Sequence, residues 1–133
     1  MVPLGSIATY KGIPVSHFLD EAELEDAIAQ TKVGGATLTK LLGTSAWYAP
    51  GAAAGELVKS IITDGKKLIP CCVYLEGEYG EDDLCIGVPV ILGENGVEQI
   101  VELNLEGVEK ERFAESVAAA RNTQNNLGDA LKK

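Results

Sequence analysis

The stretch "LCIGVPVILGENGVEQIVELNL", Leu84 to Leu105, decides how this chain folds. Two runs rich in apolar and β-branched residues meet at Asn95-Gly96. An Asn-Gly pair is a strong signal for a two-residue type I′ hairpin, because both central positions need positive φ. With Asn95 and Gly96 as that pair, Glu94 faces Val97. Counting outward then sets Val90 opposite Val101, Val88 opposite Leu103 and Ile86 opposite Leu105. These pairs are apolar and share one face, as a half-buried sheet requires. The other face of the second run carries Glu98, Glu102 and Asn104, interrupted by Ile100.

Upstream, "KLIPCCVYL" (Lys67 to Leu75) reads as a third strand. It is joined to the hairpin by the acidic "EGEYGEDD", which matches no calcium-loop spacing and reads as a solvated turn. Downstream, "GVEKERFAESVAAARNTQNNLGDALKK" reads as a long helix. Phe113, Val117, Ala120, Leu127 and Leu131 lie on one stripe, with the polar Gln124 as the exception. Arg112, Glu115 and Arg121 lie away from the stripe, and Gly128 frays the end. Nearer the N-terminus, "IATY" and "IPVSHFL" read as brief strands or extended loop around Lys11-Gly12. "LDEAELEDAIAQTK" then opens a helix. Asp20 and Glu23 form a reciprocal capping pair, and Leu24 and Ile28 share one face. Gly34-Gly35 predicts a bend or the close approach of another backbone. The expected architecture is α+β: an antiparallel three-stranded meander packed by long helices.

Between the first helix and the sheet stands "GTSAWYAPGAAAGELVKSII", Gly43 to Ile62. Thr44 and Ser45 are N-cap candidates for a second helix, and Pro50 fits only near its start. Gly51 to Gly55 carry almost no side chain. Internal packing and a subunit interface both remain open for that surface.

Composition narrows the function. At 133 residues the chain is one ordinary domain, long enough for a hydrophobic core. A formal charge of −9 argues against nucleic acid or an anionic membrane as partner. No apolar run approaches the roughly 20 residues of a membrane span, and "MVPLGSIATYKG" lacks the marks of a secretory signal. Cys71, Cys72 and Cys85 read as reduced, mostly buried thiols of a cytoplasmic protein. With His17 the sole histidine, a zinc site has too few ligands. No phosphate-binding glycine loop is present; "GAAAG" near a helix start is only a weak anion-binding signal. Ser45 and Ser60 have no histidine near them in sequence, and His17 reads as a surface residue. On residues alone, this is a domain without an active site of its own.

The order of pieces is nevertheless specific. A Gly-Gly helix leads to "GTSAWYAPGAA", then "YLEGEYG", "GVPVILGENGVE" and a final helix. From "MVPL" to about Val117 the chain resembles the C-terminal substrate domain of the lactate/malate dehydrogenase family, in its lactate-dehydrogenase-like malate dehydrogenase branch. The resemblance implies an enzyme of two domains, a dinucleotide-binding half followed by this one. Such an enzyme moves a hydride between malate and NAD to interconvert malate and oxaloacetate. It also implies a homo-oligomer and no metal. The family's general base stands in a His-Gly-Asp-[ST] motif directly before "MVPL". The base, its aspartate, the carboxylate-clamping arginines and the NAD fold are therefore expected upstream of Met1. No catalytic residue is expected within this chain, which alone should be inactive. A domain at −9 would itself repel a dianionic substrate, so those arginines must set the local field.

By the family pattern Ala46 lines the substrate pocket, where lactate enzymes tend to have threonine, and Pro50 presses on the nicotinamide. The Gly51–Gly55 run resembles part of the family's dimer contact. Trp47 stands where Tyr or Phe is usual, and Ala54 and Gly55 where slightly larger residues are common, which alters that contact. Two other readings compete with a portion of a malate dehydrogenase. One is a stand-alone dimerisation or binding module without catalysis; the other is one subunit of an enzyme whose dinucleotide-binding part is a separate chain.

Overall fold

The computed structural model describes residues 1–130, and for 128–130 only the backbone. In chain order the elements are β1 (Thr9–Tyr10), β2 (Ile13–Pro14), α1 (Glu21–Leu42), α2 (Tyr48–Ile62), β3 (Lys67–Glu76), β4 (Asp82–Gly93), β5 (Gly96–Ile100) and α3 (Gly107–Ala130). The expected α+β class is present: long helices and an antiparallel meander in the order β3-β4-β5. The chain divides into two compact units, Met1–Tyr48 and Ala49–Lys133.

The second unit holds the core. Along β4 buried and exposed residues alternate, so Leu84, Ile86, Val88, Val90 and Leu92 point inward. Leu75 of β3 joins them, and Phe113, Val117 and Ala120 of α3 close over this face. The α3 stripe thus holds from Phe113 to Ala120. Leu127 is exposed and extends the stripe beyond the core, while Leu131 lies outside the described residues. Gln124, the polar exception, donates from Nε2 to the Asp83 carbonyl at 3.0 Å. Ser60 of α2 is fully buried; its Oγ donates to the Leu92 carbonyl at 2.7 Å, tying the helix to β4.

The hairpin departs from its expected register. Gly93 pairs with Gly96, so Glu94 and Asn95 form the loop, and neither has positive φ. The left-handed residue is Gly96, at φ 87°. A bulge follows, with Glu98 as the extra residue, and Val90 then pairs with Ile100 rather than Val101. The physical reason lies in the side chains around the turn. Glu94 N–H donates to Asp64 at 3.1 Å, and Lys66 pairs with Glu98 at 3.2 Å. Both carboxylates lie over Gly93: a Cβ there would fall 2.3 Å from the Glu98 carboxylate and 2.8 Å from that of Asp64. Slipping by one residue brings Ile100 to the core, which removes the interruption in the polar face. The positive-φ pair of a type I′ turn occurs instead at Lys11 and Gly12, between β1 and β2.

The pairs of Val88 with Leu103 and Ile86 with Leu105 do not form, because β5 ends at Ile100. Proline supplies the cause. Val101 N–H donates to the Pro89 carbonyl at 2.9 Å, and the ladder would return a bond from residue 89 to the Val101 carbonyl. Pro89 has no N–H to give. The Tyr79 hydroxyl donates to the Val101 carbonyl instead, at 2.7 Å, and accepts from Leu103 N–H at 3.1 Å. Tyr79 belongs to the acidic connection between β3 and β4, which is therefore more than a solvated turn. Its ring lies 5.1 Å from that of Phe113, and its backbone is held at φ 57°. Arg121 of α3, expected on the solvent side, pairs with Glu81 at 2.6 Å and donates to the Asp82 carbonyl.

The first unit is built differently. The capping box forms as expected: Glu23 N–H donates to Asp20 and Asp20 N–H to Glu23, both at 2.9 Å. Ile28 is buried and Leu24 half-buried, and both lie against Gly5. The helix runs unbroken through Gly34-Gly35, and a Cβ at either glycine would meet nothing within 4 Å.

Candidate functional site

The segment carrying the expected site residues begins where α1 stops. Gly43 takes the left-handed conformation (φ 70°) that ends many helices, and residues 44–47 have no regular structure. α2 starts at Tyr48, so the residue before it is Trp47 rather than Thr44 or Ser45. This start makes Pro50 the third helical residue, within the first turn, where its missing N–H has no intrahelical role. Ala46 lies on the connecting segment and is half-buried; Pro50 is exposed. Trp47 and Tyr48 are 71% and 92% exposed, an unusual outlay of aromatic surface. Ala46 belongs to the first unit and Pro50 to the second.

Two small-residue surfaces accompany them. Gly51 to Gly55 are all exposed, and Cβ atoms at Gly51 or Gly55 would meet nothing within 4 Å. On α1 an open groove of about 500 Å³ is lined by Gln30, Val33, Gly34, Thr37, Leu38 and Leu41. Lys67, the first residue of β3, pairs with Glu56 in the middle of α2 at 2.6 Å, and this hydrogen bond holds the Glu56 carboxyl below its usual range.

The remaining chemical groups have structural surroundings. The Ser60 hydroxyl is committed to the Leu92 carbonyl, and His17 is exposed at the end of a short 3-10 turn. Among the described residues no three His, Cys, Asp or Glu side chains gather as a metal cage. The thiols correct an expectation: all three are free, but Cys72 and Cys85 are exposed and Cys71 half-buried. Strand alternation explains this, since adjacent Cys71 and Cys72 must point to opposite faces and only Cys71 points to the core. Burial pushes the Cys71 thiol pKa up, with the neighbouring Cys72 adding to it. Sequence reasoning missed the Tyr79 strut. The available signal was Pro89 in what reads as a central strand, which requires a substitute donor.

This architecture has close counterparts. The sequence matches the family model for the lactate/malate dehydrogenase alpha/beta C-terminal domain over residues 1–129, and the chain belongs to that family. Among its relatives, malate dehydrogenase from Parabacteroides distasonis is 65% identical over 127 residues, 96% of this chain and 41% of that protein. Malate dehydrogenase from Flavobacterium johnsoniae is 58% identical over 132 residues, 99% of this chain and 41% of that protein. The solved malate dehydrogenase of Salinibacter ruber superposes with a TM-score of 0.95 at 44% identity, covering 98% of this chain and 43% of that one. For that of Aeropyrum pernix the values are 0.86 and 36%, covering 90% and 40%. The chain thus spans about 41% of the length of its curated relatives.

Proposed function

We propose that residues 1–133 are the C-terminal, substrate-side portion of an NAD-dependent malate dehydrogenase that interconverts malate and oxaloacetate. One observation carries this reading: the match to the Salinibacter ruber enzyme covers 98% of this chain yet only 43% of that enzyme. The chain contributes a wall and a scaffold. Ala46, with its single methyl, lines the substrate pocket and leaves room for the second carboxylate of oxaloacetate. Pro50 offers the nicotinamide a rigid apolar ring. When bound, NAD supplies the hydride acceptor. The residues present fit only that edge of it, since the described sheets are antiparallel and a dinucleotide cradle needs a parallel βαβ unit. The proton acceptor and the arginines belong to the preceding polypeptide, so this chain alone turns over no malate. Proximity contributes roughly five to eight orders of magnitude in effective concentration and general base catalysis roughly two to four in rate.

The assembled enzyme is a homo-oligomer, with the small-residue run 51–55 in a subunit contact. Free thiols and the absence, among the described residues, of any helix long and apolar enough to cross a membrane fit a cytoplasmic setting.

A chimera tests the proposal: the first part of the Parabacteroides distasonis enzyme, up to its match with Met1, joined to residues 1–133. It should oxidise NADH with oxaloacetate and much less with pyruvate, and Ala46→Thr should shift that preference toward pyruvate. A folded, NAD-binding chimera that ignores oxaloacetate would refute the reading.

A further inference from the structure

The reading above leaves unused the two exposed thiols on the face of the β3–β4 sheet away from the core. Cys72 pairs with Gly87, and Tyr74 with Cys85. Residues two apart on a strand share a face, so these four form one patch with the thiols at diagonal corners. Neither remaining corner fills the space between them. Gly87 has no side chain, and a Cβ there would meet nothing within 4 Å. The Tyr74 phenol is turned to Asp83, donating to its carboxylate at 3.2 Å. Diagonal neighbours have Cα atoms about 7–8 Å apart. That is beyond the reach of a disulfide without backbone movement. It suits two sulfurs bracketing one ion, on the order of 4.6 Å apart when each metal–sulfur bond is about 2.3 Å. Two soft donors, with no cluster of three His, Cys, Asp or Glu among the described residues, suit a two-coordinate d¹⁰ ion rather than a tetrahedral one.

We propose that Cys72 and Cys85 form a dithiolate site for a soft monovalent cation of the Cu(I) type. Binding replaces two S–H bonds with two metal–sulfur bonds and releases two protons, with no change of oxidation state. The resulting complex carries one negative charge. Cys71 takes no part, because strand alternation points it to the core, away from this face. The site is independent of hydride transfer, for which the family resemblance implies no metal.

The reduced 133-residue chain, titrated anaerobically with Cu(I) against a chromophoric chelator, should draw one ion per chain. Cys72→Ser and Cys85→Ser should each weaken binding so far that the chelator keeps the ion, while Cys71→Ser leaves the affinity unchanged. In the unsubstituted chain, loading should protect two thiols from a disulfide reagent without raising the sedimenting mass. The proposal fails if no Cu(I) is drawn, if either single variant at 72 or 85 binds as tightly as the parent, or if Cys71→Ser abolishes binding. It also fails if the loaded chain doubles in mass, since the ion would then bridge two chains.

Discussion

The two compact units treat their apolar residues in opposite ways. In the second unit, Leu75 and Val90 are 0% exposed and Leu84 only 1%, and a sheet and a helix close over them. In the first unit Ile28 is the single buried apolar side chain among the described residues, while Val33, Leu38, Leu41 and Leu42 of α1 are exposed. α1 has a well-formed cap and an unbroken 22-residue course. Its local signals are therefore complete, while its apolar face stays exposed. A helix draws most of its stability from packing an apolar face rather than from propensity. The difference teaches that the second unit carries its own core, whereas the first leaves the apolar face of α1 uncovered.

The sharpest way to break this contrast is to truncate one leucine in each unit. Leu75→Ala should cost about 2–5 kcal/mol in urea denaturation. Leu38→Ala, on the uncovered face of α1, should change stability by less than about 0.5 kcal/mol. Equal losses would mean that α1 packs as tightly as the sheet. Next in size is Tyr79→Phe, which leaves the Val101 carbonyl without the donor that Pro89 cannot supply. It should cost about 1–3 kcal/mol and speed hydrogen exchange at Leu103 N–H. Unchanged exchange would show that the phenol merely fills space. Gly93→Ala should cost about 1–2 kcal/mol, because its methyl displaces the Glu98 and Asp64 carboxylates from the turn. Chemical shifts at Glu94 and Lys66 should move with it, and their constancy would count against the close approach. Smallest is Asp20→Ala, which removes half of the capping box. It should lower helicity at the start of α1 and cost about 1 kcal/mol. A loss much larger than this would show that the first unit is more cooperative than its single buried side chain suggests.

Much of the fold was legible because local and global signals agreed. The capping box at Asp20 and Glu23, the alternation along β4 and the stripe of Phe113, Val117 and Ala120 all rest on short-range periodicity. Register was not legible. Asn95-Gly96 satisfies the turn rule, but Asp64 and Glu98, distant or looping back, hold the chain one step away from it. Ile100 gave the clue, as an apolar residue stranded on a polar face in the wrong register. The thiols were misjudged because cysteine's general preference for burial says nothing about strand phase, which sets Cys72 and Cys85 outward. For the site, the residues alone yielded only an absence of catalytic groups. Ala46 and Pro50 acquire a meaning through the family pattern, since a methyl group and a pyrrolidine ring announce no chemistry by themselves.

The most direct measurement is an assay of the purified 133-residue chain with malate and NAD and nothing else added. No NADH should form above the uncatalysed background if, as proposed, the base and the nicotinamide site lie outside these residues. Sustained, malate-dependent NADH formation that tracks the chain through purification would contradict the account.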